Sequence, residues 1–85
     1  MEILLVTQNN CPNCDKLKMF LKFGLKGKYD NYIKEVSRQN SENHFTQIIE
    51  HNDIQATPAI IVGNMVLKDT QPSKVKEFLE KLIAV

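Results

Sequence analysis

Cys11 and Cys14 stand three positions apart in the run Cys11-Pro12-Asn13-Cys14, and they are the only cysteines in the chain. A bond between such near neighbours closes a tiny loop. It removes little entropy from the unfolded chain, so stabilisation is a poor reason for it to exist. Two close cysteines without a secretory leader point instead to redox chemistry or to metal binding. The nature of the pair depends on the elements that hold it.

Ile3 to Thr7 is a short apolar, β-rich run that reads as a buried strand. Gln8-Asn9-Asn10 is a polar break, and Pro12 suits the first turn of a helix. Cys14, Leu17, Phe20 and Leu21 share one face of that helix, and Gly24 and Gly27 end the segment. Tyr29 to Val36 reads as a second strand. Ser41 starts a second helix whose apolar stripe is Phe45, Ile48 and Ile49, and Asn52-Asp53 stops it. Ala59 to Val62 and Met65 to Leu67 form a hairpin across Gly63-Asn64. A last helix spans Pro72 to Ile83, with Val75, Phe78, Leu79, Leu82 and Ile83 as its stripe. The order β-α-β-α-β-β-α predicts an α/β fold: a four-stranded mixed sheet with helices on both faces. At 85 residues the chain supports one domain, residues 1–85.

In this setting Cys11 falls near the helix N-cap and Cys14 in the first turn, so both sulfurs point the same way. Unpaired N–H groups and the positive end of the helix dipole favour a thiolate at Cys11. Its pKa is expected below the free value of about 8.5. The thiolate would attack a substrate disulfide, and the more buried Cys14 would resolve the mixed disulfide. Pro12 stiffens the turn, and Asn13 between the sulfurs is placed to touch an incoming chain. Thr57-Pro58, at the entrance to the third strand, is either an ordinary edge feature or a cis peptide; residue types alone leave both open.

The bulk composition narrows the partners. Hydrophobic residues make up 42% and charged residues 25%, an ordinary globular balance. A formal net charge of +1 marks neither a nucleic-acid nor a membrane partner. Lysines gather between Lys16 and Lys28, which reads as a solvated helix face or as a weak attraction for acidic partners and glutathione carboxylates. The N-terminal Met1-Glu2-Ile3-Leu4-Leu5-Val6 lacks a basic leader region, and the longest apolar runs are four residues. A cytoplasmic, monomeric protein is expected.

A strand, a C-P-x-C pair opening a helix, and a Thr-Pro leading into a hairpin and a last helix resemble the glutaredoxin and small thioredoxin-like family along nearly the whole chain. The resemblance implies a sheet order of 4-3-1-2 with the third strand antiparallel. It implies a cis Pro58 facing the cysteines, and Thr57 pairing its backbone with the substrate, a mode that suits a broad substrate range. It implies a thiol–disulfide oxidoreductase that reduces protein or glutathione mixed disulfides through a Cys11/Cys14 cycle. Cys11, Cys14 and Pro58 are its catalytic candidates. Gln8, Pro12, Asn13, Thr57, Lys68 and Asp69 are its substrate-binding candidates. No tightly bound cofactor and no metal are expected. The disulfide is the redox centre, and glutathione or a reductase supplies electrons.

The sequence departs from the glutaredoxin pattern at the glutathione site. Asn13 replaces a usual tyrosine, and Gln8 a usual lysine. Lys68-Asp69 replaces a Gly-Gly pair, with Lys68 offering a positive charge from a new place, and Gln71 replaces an acid. Thioredoxin's Trp-Cys-Gly-Pro-Cys is absent too. These departures keep open a thioredoxin-like electron donor served by a dedicated reductase. A zinc site would need His44 and His51, which lie about 10.5 Å apart along one helix and cannot share an ion. An iron–sulfur cluster shared between two subunits needs only the thiols and remains a further alternative, as does a non-enzymatic module on the same fold.

Overall fold

The computed structural model describes residues 2–83, in the order β1 (Ile3–Thr7), α1 (Pro12–Met19), β2 (Ile33–Ser37), α2 (Glu42–His51), β3 (Ala59–Val62), β4 (Met65–Leu67) and α3 (Pro72–Leu82). The four strands form one sheet in the order β2-β1-β3-β4, which is the expected 4-3-1-2 read from the other edge. β1 runs parallel to β2 and antiparallel to β3, and β3 pairs antiparallel with β4.

Alternation along the strands divides the core in two. Ile3, Leu5, Ile60 and Val62 face one side, where Leu17 and Leu21 of the first helical segment and Val75 and Leu79 of α3 cover them. Val6, Val36, Ala59 and Ile61 face the other side, against Phe45 and Ile48 of α2. The predicted layering of helices on both faces is what the chain adopts.

Two expected elements differ in detail. The second strand was expected from Tyr29, but β2 begins at Ile33, after a 3₁₀ turn over Asp30–Tyr32. The register gives the reason. Ile33 pairs with Ile3, the first residue of β1, so residues before Ile33 have no ladder to join. Their backbone groups bond locally instead, from Asp30 N to Gly27 O (3.1 Å) and from Tyr32 N to Tyr29 O (2.9 Å). The first helical segment ends at Gly24 and Gly27 as expected, but it does not stay α-helical to its end. It runs on as a π-helical turn, Phe20–Gly24, with Leu25 N bonded to Phe20 O at 2.9 Å. It closes where Lys26 and Gly27 take positive φ (55° and 67°) and Gly27 N reaches back to Leu21 O at 3.2 Å. In the hairpin, Gly63 takes φ 59° at the first turn position, which explains the Gly-Asn order.

A polar contact fastens α1 to the sheet. Lys18 Nζ lies 2.6 Å from Glu35 Oε2, and the buried Thr7 hydroxyl donates to the same oxygen at 2.6 Å. Burial pushes the Glu35 carboxyl up. The hydrogen bonds from Lys18 and Thr7, with the Lys18 charge, outweigh that and hold it below its ordinary value of 4.5. A depressed carboxylate contributes stability that is fully present above the unfolded value and fades as pH falls through the lower folded value. Since the Glu35 side chain is 37% exposed, the contribution is small, at most about 1 kcal/mol. Denaturant unfolding across pH 2–6 is expected to show stability dropping below about pH 4.5, with a shallower fall in Glu35→Gln.

Tyr29 is 2% exposed in the core between the sheet and the helices on the α1 side, and its hydroxyl finds no hydrogen-bond partner among the described residues. An unpartnered buried hydroxyl costs about 1–3 kcal/mol of desolvation. Tyr29→Phe removes that cost with little change of shape. It is expected to raise stability by about 1 kcal/mol in urea unfolding; a clear loss of stability would show that the hydroxyl is satisfied in solution.

Candidate functional site

The cysteine pair sits where β1 hands over to α1. Cys11 is the N-cap, with extended backbone (φ −120°, ψ 95°), and Pro12 occupies the first helical turn. The Cys14 N–H donates to Cys11 Sγ at 3.1 Å, so the sulfur takes the place of a capping oxygen. The Asp15 N–H continues the helix to Cys11 O at 3.1 Å. Cys11 and Cys14 are joined as a disulfide, with Cα atoms 5.2 Å apart. Their environments differ as the helical spacing predicted. Cys14 is 1% exposed on the inward face with Leu17, whereas Cys11 is partly open to solvent.

Sheet register brings the second part of the site to the first. Val6 pairs with Ala59 across β1 and β3, so the end of β1 and the start of β3 lie at the same edge of the sheet. Thr57-Pro58, which immediately precedes β3, therefore meets the cysteine loop. The Thr57-Pro58 peptide is cis, and Pro58 is buried. Cys11 Sγ lies 3.7 Å from the Thr57 carbonyl oxygen and 3.6 Å from Thr57 Oγ1. A contact between residues 46 positions apart thus places one hydroxyl and one carbonyl beside the exposed sulfur.

An open groove of about 450 Å³ runs from this contact. Asn13 lines one wall with Lys16 and Phe20 of the same helical segment. Thr57 and Pro58 form the floor, and the stretch from Lys68 to Pro72 forms the far wall. Five of the expected binding or catalytic residues, Asn13, Thr57, Pro58, Lys68 and Asp69, therefore share one cavity. Gln8 is exposed and does not line it, and Pro12 stays at the helix start. The Lys68 ammonium donates to the Asp53 carbonyl at 2.9 Å, and Asp69 faces Lys74 at 3.8 Å. The opposite flank of the cysteine loop is tied down by Asn9 N donating to Gln39 Oε1 at 3.2 Å, next to Asn10 with its positive φ of 55°. Lys16 and Phe20 were not singled out from the sequence as groove residues. The available signal was their spacing, three and seven positions beyond Asn13 on one helical face.

At the level of sequence, no protein-family model and no curated protein matches the chain. Solved structures do. The thioredoxin-like protein BC3987 superposes with a TM-score of 0.71 at 24% identity, over 92% of this chain and 100% of that one. A point mutant of it gives 0.70 at 23%, over 92% of this chain and 99% of that one. The glutaredoxin-like protein NrdH-redoxin from Escherichia coli, described as having a thioredoxin-like activity profile, gives 0.69 at 16%, over 91% of this chain and 93% of that one.

The N-cap geometry makes one property of the site measurable. In the reduced protein the helix N-terminus and the Cys14 N–H stabilise negative charge on Cys11 Sγ. Iodoacetamide alkylation followed against pH is expected to give a Cys11 pKa below about 8.5, and a value at or above that would show that the helix terminus does not activate the thiol. The chain thus has the thioredoxin-like fold, with a CxxC disulfide at the first strand-to-helix junction.

Proposed function

We propose that the protein is a thiol–disulfide oxidoreductase that reduces disulfides through a Cys11/Cys14 cycle. The observation that supports it is the asymmetry of the pair: one sulfur is partly exposed at a helix N-cap beside Thr57, and the other is buried within bonding reach. The Cys11 thiolate attacks one sulfur of the substrate disulfide, and the other sulfur leaves as a thiolate that takes up a proton. Cys14 then loses its proton and attacks Cys11 Sγ, releasing the second substrate thiol and closing the Cys11–Cys14 disulfide. Two electrons have passed from the protein dithiol to the substrate. Thr57 contributes a carbonyl and a hydroxyl beside the reacting sulfur, the position from which an extended substrate backbone is held. Asn13 and Pro58 shape the groove that receives it.

External electrons must restore the dithiol, from glutathione or from a reductase. A reductase-served cycle is favoured by the far wall of the groove. There the side chains of Lys68 and Asp69 stand where glutaredoxins carry Gly-Gly, and Lys68 is engaged with the Asp53 carbonyl. The thioredoxin-like activity profile of NrdH-redoxin points the same way.

Reduction of a small mixed disulfide, coupled in turn to glutathione with its reductase and to a thioredoxin reductase, tests both levels. Turnover is expected with wild type and is expected to vanish in Cys11→Ser, while Cys14→Ser stalls as a mixed disulfide with protein substrates. Wild-type turnover only with the thioredoxin reductase supports the reductase-served cycle. Turnover only with glutathione would overturn that choice. A folded wild type inert in both systems would overturn the oxidoreductase reading itself.

A further inference from the structure

The first helical segment carries a second feature that the cysteine chemistry leaves unused. Five of the eleven basic residues fall between Lys16 and Lys28, a stretch without a single acid, although the whole chain is balanced at +1. The remainder of the chain holds six basic and ten acidic residues, so the positive charge is concentrated in this one segment. Lys18 is taken up by Glu35. Lys16, Lys22, Lys26 and Lys28 are exposed and make no ion pair among the described residues.

The outward side of the helical segment that carries Lys16 and Lys22 also presents two large apolar side chains. Met19 is 60% exposed and Phe23 66%, with the Lys22 ammonium 5.6 Å from the Phe23 ring. The inward face is already filled by Cys14, Leu17 and Leu21, so neither Met19 nor Phe23 serves the core. A face kept only for solvation mixes both signs of charge and spares large apolar groups. This one sets four unpaired lysines against few acids, Asp15 at the helix start and Asp30 beside Lys22, and it exposes a phenylalanine. The patch is also continuous with the site, since Lys16 lines the groove beside Asn13 and Thr57. From Asn13 to Phe23 the helix rises only about 15 Å.

We propose that this face docks an acidic protein surface that carries the disulfide exchanged with Cys11. The proposal rests on the oxidoreductase reading and deepens it by naming the class of partner. An acidic protein suits the patch better than a polyanionic strand or an anionic membrane. Such extended surfaces would also meet the net-negative remainder of this small chain, whereas a folded partner can match a patch of limited reach and offer an apolar contact to Phe23. Screening sets the range of the attraction. At 0.01 M ionic strength the Debye length of about 30 Å spans the whole patch, and at 0.15 M, about 8 Å, only contacting charges act.

The test is the rate at which the reduced protein exchanges with two peptide disulfides of equal length, both containing leucine. One is flanked by glutamates and the other by lysines. Bis(2-hydroxyethyl) disulfide serves as the neutral reference and as the control for folding. At low salt, wild type is expected to react about tenfold faster with the acidic peptide than with the basic one, and the gap is expected to close at 0.5 M salt. Lys22→Glu with Lys26→Glu reverses the preference, and Phe23→Ser slows the acidic peptide at both salt levels. The neutral rate stays unchanged in every variant. Equal wild-type rates with the two peptides, a preference that survives the charge reversal, or variants that lose only binding to phosphatidylserine vesicles would overturn the docking proposal alone. A wild type inert toward the neutral disulfide would overturn the oxidoreductase reading beneath it.

Discussion

The structure depends on the pairing of β1 with both of its neighbours. Ile3 to Thr7 bonds to β2 on one side and to β3 on the other, so this five-residue strand is the central support of the sheet. Its parallel pairing with β2 demands a crossover, which α1 supplies, and the crossover must start where β1 ends. Its antiparallel pairing with β3 puts the start of β3 at that same end. The cysteine loop and Thr57-Pro58 are therefore brought together by main-chain register, before any attraction between their side chains acts. A one-residue slip in either ladder would exchange the two faces of the strand and dissolve both halves of the core.

Once that junction exists, the chemistry at Cys11 follows from ordinary features of a helix start. An N-cap residue has an extended backbone and a side chain that accepts from the first turn. Here that acceptor is a sulfur. Proline fits the next position because no intrahelical partner awaits its missing N–H. Cys14, one turn along, is swept to the inward face and buried with Leu17. The difference between an accessible and a protected sulfur is thus a consequence of helical pitch. On the outer side the same pitch collects Lys16, Met19, Lys22 and Phe23. One short helix therefore joins the cysteine pair at its start to a charged, partly apolar outer surface.

The polar fastening of α1 shows how little ionic material holds it in place. Glu35 on β2 receives both the Thr7 hydroxyl and the Lys18 ammonium, linking the end of β1, the helix and the edge strand through one oxygen. Most of the holding is apolar, from Leu17 and Leu21 against Ile3, Leu5, Ile60 and Val62. The Lys18–Glu35 pair sets the orientation of an element that burial already attaches.

By itself the sequence determined the elements, their order and the placing of the cysteine pair at a helix start. Each of these is local: apolar periodicity, a proline at a helix start, and two thiols one turn apart. It also implied the cis Pro58 and the sheet order through family resemblance, and the structure has both. Residue types alone did not set the start of β2, because a strand ends where its partner ends, and Ile33 waits for Ile3. Nor did they show that Lys16 and Phe20 share a groove with Lys68 and Asp69, or that Glu35 joins Thr7 to Lys18. Only the tertiary structure decided those contacts, because they link positions far apart in the chain, and separation along a chain carries no distance until the sheet register fixes it.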